Sequence, residues 1–323
     1  MNCRCLFASL SLTLLATIAG AQSPATKKSK APPAKAAPAP DATEAELRKI
    51  MVEDDTALDQ IEQWTIQAQN ADGPTAPAVR AALQLKINAR IEEIRKRYDD
   101  FLTRHPKHAP AHLAFGSFLC EHGFEKEGVK SWETALELDT KNPAAWNNLA
   151  NHYAHRGPVR KSFDYHLKAI ELSPAQSVYH YNFGTTVFLF RKDAMEHFSL
   201  DEQQVFDKAL DHYARAQTLD PQNFTLASDI AQTYYGIRPP RNEAALAAWE
   251  RAFKLAPAEP ERQAIHLHFA RIRINMGRFD EARADLAKVT HTNHQVVRAR
   301  VQKTLDDRQK KDAAPPQTVK EPK

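Results

Sequence analysis

Residues 144–174 read AAWNNLANHYAHRGPVRKSFDYHLKAIELSP, and the spacing within them decides the fold. Trp146, Leu149, Ala150 and Tyr153 stand at the three-, four- and seven-residue intervals that place side chains on one face of a helix. Gly157 then marks a turn, Ser162 and Ala169 belong to a second helical face, and Pro174 stops it. The stretch before it has the same order. Gly123 lies 34 residues ahead of Gly157, and at that offset Gly116 pairs with Ala150, Leu119 with Tyr153, Gly128 with Ser162 and Ala135 with Ala169. A fixed period of this length means one helical hairpin repeated along the chain.

With this period and these residues the chain resembles the tetratricopeptide repeat family. The match is fullest in the second repeat, about 144–177, through Trp146, Leu149, Ala150, Tyr153, Gly157, Ser162, Ala169 and Pro174. The first, about 110–143, has Phe115, Gly116, Leu119, Gly123, Gly128, Trp132 and Ala135, with His112 at the motif's Trp position and Thr140 at its Pro position. A third repeat spans 178–224. It opens on Phe183, Gly184 and Val187 and resumes only at Ala209, Tyr213, Ala216 and Pro221, so an insertion falls near 190–203. The fourth, 225–260, has Ile230, Ala231, Tyr234, Ala245, Trp249, Ala252 and Pro257; the fifth, 263–292, has Phe269, Ala270, Gly277, Ala282 and Leu286. The N-terminal region, 41–109, predicts an amphipathic helix near 43–69 and a degenerate repeat through Ile94, Tyr98, Phe101 and Pro106, and 293–307 predicts a capping helix. The resemblance implies an all-α, right-handed solenoid with atypical terminal helices, as terminal repeats must face solvent.

The two ends read differently. Residues 1–21 predict a signal peptide: Arg4, an apolar run of about 15 residues, then Ala19-Gly20-Ala21. The run is shorter than the roughly 20 residues of a spanning helix. Residues 22–40 form a Pro/Ala/Lys-rich stretch with no aromatic residue and no acid, predicting a disordered linker, and 308–323 predicts a second polar tail. These ends hold the basic charge. The whole chain is +4, but Arg4 of the leader, the four linker lysines and a net +2 from Lys303 onward account for +7, which leaves the repeat body near −3. A nucleic-acid protein would carry its positive charge on the folded face, so nucleic acid is not expected as a partner. Once the leader is removed only Cys120 remains, so no internal disulfide is expected. The expected location is the periplasm or the extracellular space, as for a bacterial envelope protein.

The resemblance implies a concave groove lined by each repeat's first helix, with a peptide or protein segment as partner. In repeat order the groove rows read Ala114, Asn148, Asn182, Asp229, His268; then Ser117, Asn151, Thr185, Gln232, Arg271; then Leu113, Asn147, Tyr181, Ser228, Leu267. Amides both donate and accept, so they can hold a peptide backbone with little sequence preference. The candidate groove residues are therefore Asn147, Asn148, Asn151, Tyr181, Asn182, Thr185 and Gln232. A carboxylate clamp of cations, used by some family members, is absent at the corresponding positions Leu113, Ser117, Asn148, Val178 and Asn182. The insertion offers Phe190, Met195 and Phe198 as a second contact on a protruding loop, and Ser199 with Glu202 reads as a capping box for the helix after it. The sequence holds no phosphate loop or nucleophile elbow. The histidines, fourteen in all, lack the Cys partners or HExxH spacing of a zinc site. No catalytic residue, cofactor or metal site is assigned, and a non-enzymatic scaffold is the expectation. Two alternatives stand beside it: a histidine-based metal- or substrate-handling envelope protein, and a self-associating assembly subunit.

Overall fold

The computed structural model describes residues 42–313, and these divide into two compact units, 42–145 and 146–313. The expected leader, the linker and the tail beyond Ala313 lie outside the described residues. Among the described residues the regular elements are all helical.

The first unit holds α1 (Ala42–Asn70), α2 (Ala76–Arg104), α3 (Ala109–Glu121) and α4 (Glu125–Leu138). Asp72-Gly73 breaks α1 from α2, with Gly73 at φ +79° and its N–H bonded to the Asp72 carboxylate at 2.7 Å. Pro77, with φ already set for a helix, stands in the first turn of α2. Leu47, Ile50 and Ala57 of α1 meet Ile94, Tyr98 and Phe101 of α2 and Phe115, Phe118 and Leu119 of α3 in one buried cluster. The α3–α4 hairpin closes on glycine: a Cβ on Gly128 would stand 2.7 Å from the Gly116 carbonyl oxygen. The backbones approach so closely that no side chain fits between them.

The second unit takes α5 (Pro143–Arg156), which starts at the boundary, α6 (Val159–Leu172), α7 (Ser177–Leu189), α8 (Arg191–Phe198), α9 (Glu202–Leu219), α10 (Phe224–Thr233), α11 (Asn242–Leu255), α12 (Glu259–Asn275), α13 (Phe279–Ala287) and α14 (Gln295–Ala313). Gly157, at φ +74°, turns α5 into α6. The third repeat pairs α7 with α9, and the insertion between them is a helix of its own. α8 packs against α6, α7 and α9, so it is not a protruding loop. Ser199 ends α8 in the left-handed conformation (φ 54°), which excludes the extended backbone an N-cap needs. The capping box is instead Asp201 with Gln204: the Gln204 N–H donates to Asp201 Oδ1 at 2.8 Å and the Asp201 N–H to Gln204 Oε1 at 2.9 Å. α14 runs to Ala313, past the expected end at 307, because residues 308–313 continue the helix as a charged, solvent-compatible turn.

Histidine substitutes for the motif's Trp in a consistent way. His112 Nε2 bonds the Pro106 carbonyl at 2.9 Å in the first unit, and His180 Nε2 bonds the Pro174 carbonyl at 3.0 Å in the second. At each site the ring ties the helix start to the proline that ended the previous repeat. Among the described residues no helix is long and apolar enough to cross a membrane.

Candidate functional site

The asparagines divide into two groups with different roles. Asn147 and Asn182 are 3% and 6% exposed, and Asn182 Nδ2 donates to Asn147 Oδ1 at 3.0 Å. They face each other between α5 and α7 rather than a groove, a correction to the expectation for both. The reason is angular: Asn147 sits about 100° around the helix from Asn148. Asn182 belongs to a buried polar thread. Thr186 Oγ1 donates to the Asn182 carbonyl at 2.9 Å and lies 3.1 Å from His166 Nε2. With its one proton so used, the threonine oxygen must accept, so His166 carries its proton on Nε2. Complete burial lowers the His166 pKa to about 3 and keeps the ring neutral.

Asn148 and Asn151, by contrast, remain half-buried on α5, and Gln232 is exposed on α10. Hydrogen bonds hold Tyr181 and Thr185 in place. The Tyr181 hydroxyl donates to Asp229 Oδ2 at 2.7 Å, linking α7 to α10. Burial, then this bond, pushes the Tyr181 pKa far up, so it stays a phenol. The Tyr213 hydroxyl donates to Thr185 Oγ1 at 3.1 Å. The first helices of the second to fourth repeats thus carry polar side chains, and some of these are held by hydrogen bonds between helices.

The apolar insertion residues pack inward rather than standing on a protruding loop. Phe190, Met195 and Phe198 pack against the buried cluster of Phe163, Phe183, Val187, Ala194, Val205 and Ala209. Phe198 lies 5.3 Å from the Phe163 ring centroid, with Lys208 Nζ 4.5 Å from its own. Hydrophobic burial was open to all three once α8 formed, and it won. Cys120 is half-buried, and burial pushes its thiol up to about 12, far from a reactive thiolate. No group of three or more His, Cys, Asp or Glu is placed to hold a metal among the described residues.

No family model matches this chain, and no curated protein matches it. Solved structures do. PilW, described as a widely conserved type IV pilus biogenesis factor, superposes with a TM-score of 0.50 at 16% identity, over 68% of this chain and 95% of its own. The chain has the tetratricopeptide repeat fold. The C-terminal part of a TPR repeat-containing protein from Cytophaga hutchinsonii gives 0.49 at 12% identity, over 76% of this chain and 92% of that one. PilF of Pseudomonas aeruginosa gives 0.48 at 16%, over 68% and 95%. At such identities the likeness is one of fold.

Within this tetratricopeptide fold the fourth and fifth repeats hold an arrangement that the motif positions did not announce. The His268 ring of α12 stacks on Trp249 of α11 at 3.8 Å and 10°. The Tyr235 hydroxyl lies 2.8 Å from His268 Nδ1. Burial, then the charge of Arg271, lowers His268 to about 4, so the imidazole is neutral at pH 7. Trp249 read in sequence as a packing residue, and Tyr235 belonged to no row. Only His268, in the first row, signalled a polar group here.

Proposed function

We propose that this protein is an exported, non-enzymatic scaffold that binds an extended peptide or protein segment along the polar face of its first helices. One observation carries the reading: the first helices of the second to fourth repeats carry half-buried Asn148 and Asn151 and exposed Gln232, and on the same set of helices Tyr181, Asp229 and Thr185 are held by interhelical bonds. A pre-organised polar face loses little conformational freedom when a partner arrives. Amide side chains suit the partner's backbone N–H and C=O groups. The apolar start of the sequence and the envelope location it implies belong to this proposal, as does the absence of catalysis.

The test is a pull-down from envelope extract with the full chain, followed by calorimetric titration of the recovered partner. Asn151→Ala combined with Gln232→Ala should weaken binding by about 1 to 3 kcal/mol, the value of two lost amide contacts. Asn182 is unsuited to this test, since its loss would disturb the interior. Unchanged affinity in the double variant would remove this face from the account.

A further inference from the structure

A cavity of about 340 Å³ opens where the end of α10 and the loop into α11 meet α11, α12 and α14. Its walls include Tyr234, Tyr235 and Trp249, and its polar lining includes Arg238, Arg241 and Arg308. No aspartate or glutamate lines it. Two of the arginines already have acids: Arg241 pairs with Asp207, and Arg308 lies 3.5 Å from Asp312. Arg238 differs. Its guanidinium donates at 2.8 Å to the backbone carbonyls of Tyr235 and Ile237, and among the described residues it meets no carboxylate. Its charge is held in position and left uncompensated. The aromatic walls are fixed as well: Trp249 is 2% exposed, stacks on His268 at 3.8 Å and has its indole N–H against the Tyr235 hydroxyl, which lies 2.8 Å from His268 Nδ1.

Flat aromatic walls and a fixed cation together describe a site for an anion attached to an apolar body. The size is at the small end for ligand pockets and suits one or two side chains. We propose that this cavity receives the carboxylate of an aspartate or glutamate, with an adjacent apolar side chain, from the segment bound along the polar face. The inference rests on the peptide-binding reading above. Arg238 supplies the charge-assisted bonds, and the aromatic rings cover the apolar neighbour.

The indole N–H is its own reporter. In the full ¹⁵N-labelled chain the Trp249 side-chain cross-peak, assigned with Trp249→Phe, is followed during titration with acetyl-Phe-Glu-amide, acetyl-Phe-Gln-amide and benzoate. The glutamate dipeptide should shift it saturably, and the glutamine dipeptide should bind at least tenfold more weakly. Arg238→Gln should weaken the glutamate dipeptide at least tenfold, whereas Lys288→Gln, on the surface beyond α13, should not. Because Arg238 also holds backbone carbonyls, Arg308→Gln serves as a second variant and should weaken binding about threefold. Equal response to the two dipeptides, or a response indifferent to both arginines, overturns the proposal. Saturation by benzoate with no response to the glutamate dipeptide also overturns it, in favour of a free organic acid. Asn151→Ala with Gln232→Ala should leave the dipeptide titration unchanged, so failure of the groove and failure of this cavity are read separately.

Discussion

The most informative single substitution lies in the first unit, at a buried acid. Asp54 of α1 accepts a hydrogen bond from the Tyr98 hydroxyl at 2.9 Å. Burial raises its pKa from the ordinary 3.8 to about 7; the Tyr98 bond works against that rise, and the charges of Glu121 and Asp55 add to it. Burial raises Glu121 as well, so the acids share one poorly solvated neighbourhood. The folded chain therefore holds a proton on Asp54 that the unfolded chain has released by pH 5. Below pH 3.8 the group is neutral in both states and costs nothing. Between 3.8 and about 7 the folded state binds more protons, so stability falls as pH rises, and above 7 the whole cost is present. About three powers of ten at ~1.4 kcal/mol each set an upper bound near 4 kcal/mol. Asp54 keeps some contact with water, and relaxation recovers part of that bound, so about 1 to 3 kcal/mol is expected. Asp54→Asn reproduces the neutral acid while keeping an oxygen for Tyr98. It should stabilise the protein at pH 8 by that amount, with the advantage shrinking to nothing near pH 3.5. Urea unfolding followed by circular dichroism at pH 3.5, 5 and 8 measures this, with wild type and variant side by side so that every other titrating group cancels. A variant no more stable than wild type at pH 8, or one whose advantage does not depend on pH, would refute the reasoning.

Other expectations follow from packing and polar burial. Asn147→Ala and Asn182→Ala should each cost about 1–3 kcal/mol by stranding a buried amide, and the double variant should cost less than their sum in a thermal-unfolding cycle. Gly128→Ala should cost about 2 kcal/mol or more, since the new methyl meets backbone of α3, while Gly157→Ala, strained only by its φ of +74°, should cost about 1; melting temperatures rank the two. In the second unit burial lowers His212 and His268 to about 4, so the folded state binds fewer protons there than the unfolded one. That contribution is intact above pH 6.5 and is lost as pH falls towards 4; His212→Gln should flatten the fall in melting temperature between pH 7 and 4.5.

The repeats were legible in the sequence because each helical hairpin must solve the same packing problem every 34 residues. Gly128 and Ala135 meet that problem in the first repeat as Ser162 and Ala169 do in the second, and composition alone records it. The polar positions obey no such rule. A helix turns about 100° per residue, so Asn147 and Asn148 look alike in sequence while one is buried against Asn182 and the other stays half-buried. Which of them serves the interior depends on whether the next repeat offers a partner at the same depth. Asn182 offers one, its side-chain amide meeting Asn147 at 3.0 Å, while Thr186 bonds its main-chain carbonyl and meets His166. The insertion shows the same limit for apolar residues. Its length was readable from the interrupted period, but whether Phe190, Met195 and Phe198 meet solvent or core turned on α8 forming, and Ser199 in a left-handed conformation ends that helix against the residue's own preference. The buried thread and the packed insertion occupy adjacent repeats, on α5 to α9. Their cost and their packing fix how α7 sits between its neighbours, and α7 is the helix that aims Tyr181 and Thr185 at the polar face. Of the residues that first suggested binding, Asn147 and Asn182 serve the interior, and the proposed contact falls to Asn148, Asn151 and Gln232.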